Sequence, residues 1–293
     1  MSKESRSGDA TLKLCGSSGA VINYNRPKEG LFMNILVTND DGIYSEGLWQ
    51  LVRELKEIAR VTVVTPESER SAIGTAVSLL DSVKVQKTKS IVDGVTAYIT
   101  DGTPSDCVVL ALGRLITEPV DLVVSGINNG SNQGEDVYIS GTVGGALQGY
   151  FRGSSAIAIS APRDSRNGQA TAARATARLA ELVIEARSPS RLFLNVNVPD
   201  LPPDEIAGVN ITRLARTSHI NTVHDDSQER RDYYNLVRTV VSEAATRGTD
   251  MYAKEHGCIS ITPLFTSLFE RPPRHFLKSL CYDLFKAFKP EKK

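Results

Sequence analysis

Apolar residues recur along the chain in two alternating rhythms from Met33 onward. Asn34-Ile35-Leu36-Val37-Thr38 is a short continuous apolar run, as expected of a strand buried on both faces. Next, Leu48, Leu51, Val52, Leu55 and Ile58 fall on one face of a helix that Ser45 is placed to cap. Val61-Thr62-Val63-Val64 predicts a second strand, stopped by Pro66. Residues 83–100 hold two alternating segments, VKVQKT and VTAYIT, with Asp93-Gly94 as a turn signal between them. Thr103-Pro104 reads as a cap and first helical position for a helix reaching about Leu115. Strands follow at Asp121–Ser125, Ala156–Ile159 and Leu192–Val196. A Gly-rich loop and a helix of small residues from about Thr142 separate the first two, and an Ala-rich helix over 169–186 separates the last two.

Strands alternating with helices in this way predict an α/β fold, a Rossmann-like, doubly wound, mostly parallel sheet with helices on both faces. The pattern sets four segments. Residues 1–32, rich in Ser, Gly, Lys and Asn and without periodicity, are expected to be a disordered extension. Residues 33–215 are the catalytic core, 216–266 an extended β arm and a returning strand at Ile259–Leu264, and 267–293 an amphipathic helix and tail. In that helix Phe276, Leu277, Leu280, Cys281, Leu284, Phe285 and Phe288 share a stripe that needs a surface to cover. Packing on its own or a partner subunit is the expected use; Lys286, Lys289, Lys292 and Lys293 keep a membrane surface open.

Composition narrows the function. Lys+Arg and Asp+Glu balance at 34 each, which argues against a grip on long nucleic acid. Cys15, Cys107, Cys258 and Cys281 form no CxxC pair, so reduced thiols and a cytoplasmic setting are expected. No apolar run reaches the roughly 18 residues of a membrane span, and no signal-peptide core opens the chain.

Three oxygen-rich motifs follow the carboxyl ends of three predicted parallel strands, the edge where open α/β sheets bind ligands. They are Asn39-Asp40-Asp41-Gly42, the stretch Glu67–Gly74, and Ser125–Asn132. Adjacent carboxylates repel, and a hard divalent cation with oxygen ligands resolves the conflict. Asp40 and Asp41 alone read more readily as a surface turn; the two neighbouring loops reverse the reading toward a metal. Ser140-Gly141-Thr142 opens a helix, where unpaired amides and the dipole favour a phosphate. The chain has no GxSxG elbow, no Walker A motif and no GxGxxG after the first strand. His219, His224, His256 and His275 lack zinc-ligand spacing, and His219 and His224 are expected in a mobile arm.

ILVTNDDG (35–42), the Pro66–Gly74 loop ending ERSAIG, DGTPSDCV (101–108), SGINNGSNQGEDVYISGTVGGA (125–146) and GTDMYAKEHGCISITPL (248–264) together resemble the stationary-phase survival protein SurE family of 5′/3′-nucleotidases. The resemblance covers about residues 33 to 266. It implies hydrolysis of nucleoside 5′-monophosphates, with 3′-monophosphates and short polyphosphates as open extensions. It also implies one Mg²⁺ or Mn²⁺ per subunit and an arm exchanged between subunits of a homodimer or homotetramer. Carried over by motif, the metal ligands are Asp40, Asp41, Ser71 and Asn128. Ser140, Gly141 and Thr142 line the phosphate site with Asn132 close by, and Asp41 is the expected residue for steering or deprotonating water. The partner expected is a small nucleotide, with neither a nucleic acid polymer nor a stable membrane contact. A nucleotide-sensing module with little turnover would carry the same loops.

Overall fold

Ile35, Leu36 and Val37 are all buried, yet they face two different cores. Ile35 and Val37 join Leu48, Leu51, Leu55, Val63, Val124 and Leu179 on one side. Leu36 joins Val64, Cys107, Val108, Val123 and Ala146 on the other. An apolar run with period-two side chains needs a layer on each face, and the fold supplies both. Fully burying each such aliphatic side chain contributes roughly 1.5–3 kcal/mol.

The computed structural model describes residues 33–185, 190–216, 219–225, 234–240, 245–265 and 274–288. The expected extension 1–32 lies outside them. The strands are β1 (Met33–Thr38), β2 (Ala59–Pro66), β3 (Val85–Thr88), β4 (Thr96–Thr100), β5 (Leu122–Asn129), β6 (Ser155–Ala161), β7 (Phe193–Asn197), β8 (Gly208–Ile211), β9 (His219–Asp225), β10 (Tyr234–Val240) and β11 (Cys258–Pro263). The helices are α1 (Glu46–Lys56), α2 (Pro104–Leu110), α3 (Gly141–Phe151), α4 (Arg166–Glu185), α5 (Asp250–Glu255) and α6 (Arg274–Phe288). The main sheet runs β3-β4-β2-β1-β5-β6-β7-β11-β8. β4, β2, β1, β5, β6 and β7 are parallel; β3 and β11 run against their neighbours β4 and β7. The chain thus builds outward from β1 in one direction and from β5 in the other. The switch point lies between β1 and β5, and a crevice opens there beyond their carboxyl ends.

Local signals set the helices. Ser45 Oγ accepts from Leu48 N, Glu46 lies in the first turn of α1, and Arg53 and Lys56 in its last. Thr103 and Asp106 form a capping box around Pro104 at the start of α2. α1 and α4 pack together on one face, α2 and α3 on the other.

Several boundaries differ from the periodicity. Ile58 lies beyond α1, on a turn closed by its N–H to Leu55 O at 3.2 Å. The α-helix after Thr103 stops at Leu110 and widens into a last turn over Ala111–Leu115, closed by Ile116 N to Ala111 O at 3.0 Å. The Ser125–Asn132 motif is strand as far as Asn129, because β5 resumes pairing with β6 after an irregularity between Ser125 and Asn128. Gly126 carries it with φ +137°, where an added Cβ would stand 2.3 Å from Ile159 O. β11, grouped by pattern with the arm, pairs inside the main sheet with β7 and β8.

β9 and β10 form a separate antiparallel pair. The backbones of His219 and His224 lie on β9; their side chains are outside the described residues. α6 turns Leu277, Leu280, Cys281, Leu284 and Phe288 into the core beside α4 and β8. These five residues of the stripe are thus covered by their own chain; Phe285 is half-buried, and the Phe276 side chain lies outside the described residues. No helix among the described residues is long and apolar enough to cross a membrane.

Candidate metal and phosphate site

The turn after β1 is held from three sides. Asn39 Nδ2 donates to Gly42 O at 3.0 Å, and Thr65 Oγ1 on β2 donates to Asn39 Oδ1. Arg70 N donates to Asp40 O at 2.7 Å and Ile43 N to Pro66 O at 3.1 Å. Gly42 closes the turn at φ +86°, where a Cβ would stand 3.1 Å from the Ser68 carbonyl carbon. The first two motifs are therefore one welded unit.

Within it the paired carboxylates look in different directions. Asp40 is only 5% exposed, and its Oδ1 accepts from Thr142 Oγ1 at 2.5 Å. The start of α3 comes this close because residue 141 is glycine: a Cβ there would lie 2.9 Å from Asp40 Cβ. Asp41 Oδ2 accepts from Asn129 N, at the end of β5, at 3.0 Å. Burial pushes the Asp40 carboxyl up to about 7; the Asp41 charge adds to this, and the Thr142 hydroxyl opposes it. Asp41 is also pushed above the usual carboxylate range, first by burial and then by Glu69, while Asn129 N–H and Arg163 pull it back. No basic side chain among the described residues offsets Asp40.

The other expected residues gather here. Asp40, Asp41, Ser71, Asn128, Asn132 and Ser140 all line one cleft of about 1150 Å³, ample for a nucleotide-sized ligand. Ser71 Oγ donates to Glu69. Asn128 Nδ2 donates to Gly130 O at 2.6 Å, so its Oδ1 is the side-chain atom with acceptor capacity toward a ligand. Ser140 is the N-cap of α3, its Oγ accepting from Val143 N at 3.1 Å. Gly141 and Thr142 form the first turn of that helix and lie behind Asp40 rather than on the cleft wall.

Asn132 lines the cleft and is also tied into the sheet. Its N–H donates to Asn197 Oδ1, its Nδ2 to Ser160 Oγ, and its carbonyl accepts from Asn195 and Asn197, all at 2.8–2.9 Å. Its side chain anchors the loop to β6, and its backbone anchors it to β7.

Sequence reasoning passed over several lining residues: Glu69, Tyr44, Arg163, Arg166 and Lys254. Glu69 was legible as a third carboxylate in the second motif. Arg163, Arg166 and Lys254 come from segments after β6 and before β11, which no motif had tied to this edge.

The available donors suit a hard divalent cation. They are two carboxylates, a hydroxyl and an amide oxygen, all oxygen. Among the described residues no group of three or more His, Cys, Asp or Glu side chains is set for a metal, so a soft, thiolate- or imidazole-rich site is not built here. A buried acid pair without a cationic side chain beside Asp40 meets the electrostatic condition for binding an ion.

A parallel α/β sheet with an acidic, oxygen-lined cleft at its switch point defines a ligand-binding protein of Rossmann-like architecture. The chain belongs to the SurE family: the family described as Survival protein SurE matches residues 35–221. A protein named 5′-nucleotidase SurE from Dehalococcoides mccartyi is 49% identical over 243 residues, covering 82% of this chain and 92% of its own. One of the same name from Moorella thermoacetica is 44% identical over 237 residues, covering 80% and 91%. The crystal structure of the SurE protein from Aquifex aeolicus superposes with a TM-score of 0.69 at 33% identity, covering 85% of this chain and 98% of that one.

Proposed function

We propose that this chain is a 5′-nucleotidase, a divalent-metal-dependent phosphomonoesterase that releases phosphate from nucleoside 5′-monophosphates. The observation that carries the reading is the buried Asp40–Asp41 pair, with no cation at Asp40, at the switch point of the sheet. The names of the relatives support the substrate class.

Asp40, Asp41, Ser71 Oγ and Asn128 Oδ1 would hold the ion. When bound, such an ion supplies charge neutralisation and Lewis-acid activation of the phosphoryl group and of water. Asp41 is fixed through Oδ2 by Asn129 N–H, so Oδ1 is the atom that takes a proton from the attacking water. Thr142 holds Asp40 ionisable against its burial, and the bond from Asn128 Nδ2 to Gly130 O fixes the direction of the Asn128 side chain. The α3 N-terminus at Ser140–Thr142 sets its dipole toward the charge that develops on the phosphoryl oxygens.

The deciding experiment is a matrix of phosphate release, with Mg²⁺, Mn²⁺ and EDTA against 5′- and 3′-monophosphates and short polyphosphates. Steady turnover of a 5′-monophosphate with metal and none in EDTA is expected. Undiminished release in excess EDTA refutes the metal; tight nucleotide binding without release makes the chain a sensor. The assembly proposed is a homodimer or homotetramer through the β9–β10 pair. That pair leaves Val223 and Leu236 exposed, and light scattering with and without it reads the state.

A further inference from the structure

Lys254 is, with Arg163 and Arg166, one of the cations lining the cleft that the proposed reaction leaves unused. It stands on α5, lines the cleft, and is partly buried. Its ammonium has three donors. One reaches Ser131 Oγ at 2.9 Å, and among the described residues no carboxylate lies within ion-pair distance. Asp250, one turn earlier on α5, does not neutralise it at contact. That carboxylate accepts from Gly134 N, Ala215 N and Met251 N at 2.8–2.9 Å. The Gly134 bond fastens α5 to the loop that follows β5 and the Ala215 bond to the segment after β8, so the lysine is on a fixed mount. Burial holds its pKa below the ordinary lysine value, while the charges of Glu255 and Asp250 pull it back without touching it.

Its position relative to the acid pair follows from the chain. Asn129 N is bound to Asp41, and Ser131, two residues on, is bound to Lys254. With the two-residue backbone span of at most ~7 Å, the serine side chain and the two hydrogen bonds, the ammonium lies within roughly 15 Å of Asp41. A nucleotide whose 5′-phosphate sits at the acid pair has its 3′-oxygen inside that reach. Arg163 and Arg166 line the same cleft. Of the nearby acids, Asp164 is tied to Asn129 through two hydrogen bonds, and Glu255 lines the cleft beside Lys254. An under-compensated ammonium favours an anion over a neutral hydroxyl.

We propose that Lys254, steadied by Ser131, forms a second anion subsite that takes the 3′-phosphate of a nucleoside 3′,5′-bisphosphate while the 5′-phosphate is cleaved. The inference rests on the reading of the chain as a 5′-nucleotidase. Water attacks the 5′-phosphorus, the P–O5′ bond breaks, the 5′-oxygen takes the proton, and nucleoside 3′-phosphate and inorganic phosphate leave.

The test compares kcat/KM for adenosine 3′,5′-bisphosphate and adenosine 5′-monophosphate in the wild type and in K254M, K254Q and K254R. The wild-type preference for the bisphosphate should be about tenfold, the scale of one charge-assisted hydrogen bond. It should fall to about one in K254M and K254Q and persist in K254R, with melting curves confirming the folded state of each. A wild-type ratio of one or less, or a ratio that K254M and K254Q leave unaltered, overturns the subsite. If the wild type releases no phosphate from either nucleotide, the nucleotidase reading fails instead. Calorimetric binding of both nucleotides then decides the subsite: a bisphosphate preference lost in K254Q upholds it, and equal affinities overturn it.

Discussion

Thr142 Oγ1 donates to Asp40 Oδ1 at 2.5 Å, joining the first turn of α3 to the end of β1 across 102 positions of sequence. This bond opposes the burial that drives Asp40 toward its neutral form. It decides whether the carboxylate is available to a cation near neutral pH. Removing the hydroxyl in Thr142→Val therefore raises the Asp40 pKa further, and a proton competes better for the oxygen. The expected result is an alkaline shift of the acid limb of the pH–rate profile and a higher metal concentration for half-activation, with about 1–2 kcal/mol lost from stability. Thr142→Ser should restore both. An unmoved profile in the valine variant would show that the bond does not tune Asp40.

Asp41→Asn keeps the shape of the side chain and its oxygen toward Asn129 N, but removes the charge and the proton acceptor. Phosphate release should fall by about a hundredfold or more, with circular dichroism unchanged. The melting temperature should hold or rise, because a like charge beside Asp40 has gone. Full activity in this variant would remove Asp41 from the chemistry.

The metal-free protein should lose stability as pH rises. Asp40 has a folded pKa of about 7 against 3.8 as its ordinary value, so between these pH values the folded state binds the proton that the unfolded chain has released. Its contribution is fully present below the unfolded pKa and is lost as pH climbs through the folded one. Asp41 and Asp250 are shifted in the same direction and add to the slope. Melting in EDTA at steps from pH 5 to pH 8 should therefore show a falling midpoint, flattened in Asp40→Asn. Added Mn²⁺ should raise the midpoint most at the alkaline end. A midpoint that rises with pH in EDTA would contradict the assignment.

Much of this was legible in the sequence because it is local. The run Ile35–Val37, the Ser45 cap and the Thr103–Asp106 box each specify their element through neighbours a few residues away. The three motifs meet because parallel strands place their carboxyl ends on one edge, whichever residues fill them. The sequence did not disclose what depends on distant partners. Asn132 reads as a substrate residue by its motif, but its commitments to Ser160, Asn195 and Asn197 come from strands about 30 and 65 positions away. Lys254 lies in the GTDMYAKEHGCISITPL stretch, but its place on the cleft depends on Ser131, 123 positions back, which that stretch alone does not reveal. The extent of β5 was missed because Gly126 breaks the apolar rhythm while the pairing with β6 resumes beyond it.

Two glycine-to-alanine changes should separate tight packing at the site from ordinary helix propensity. Gly141 lies in the first turn of α3, and alanine suits a helix better than glycine by up to about 1 kcal/mol. A Cβ at 141, however, meets Asp40 Cβ and Ile73 Cγ2 at 2.9 Å and Asp40 Oδ2 at 3.0 Å. Asp40 cannot simply rotate away: its carbonyl is held by Arg70 N and its carboxylate by Thr142. The strain should outweigh the propensity, for a net loss of about 1–3 kcal/mol and a marked drop in phosphate release. Gly113, in the wide turn after α2, is the control: it is exposed, and a Cβ there meets nothing within 4 Å. Gly113→Ala should be neutral or gain a few tenths of a kcal/mol up to about 1 kcal/mol, with activity intact. Denaturant unfolding of the pair reads both signs. If Gly141→Ala is as stable and as active as Gly113→Ala, the approach of α3 to Asp40 is looser than these distances require, and the glycine has no part in building the site.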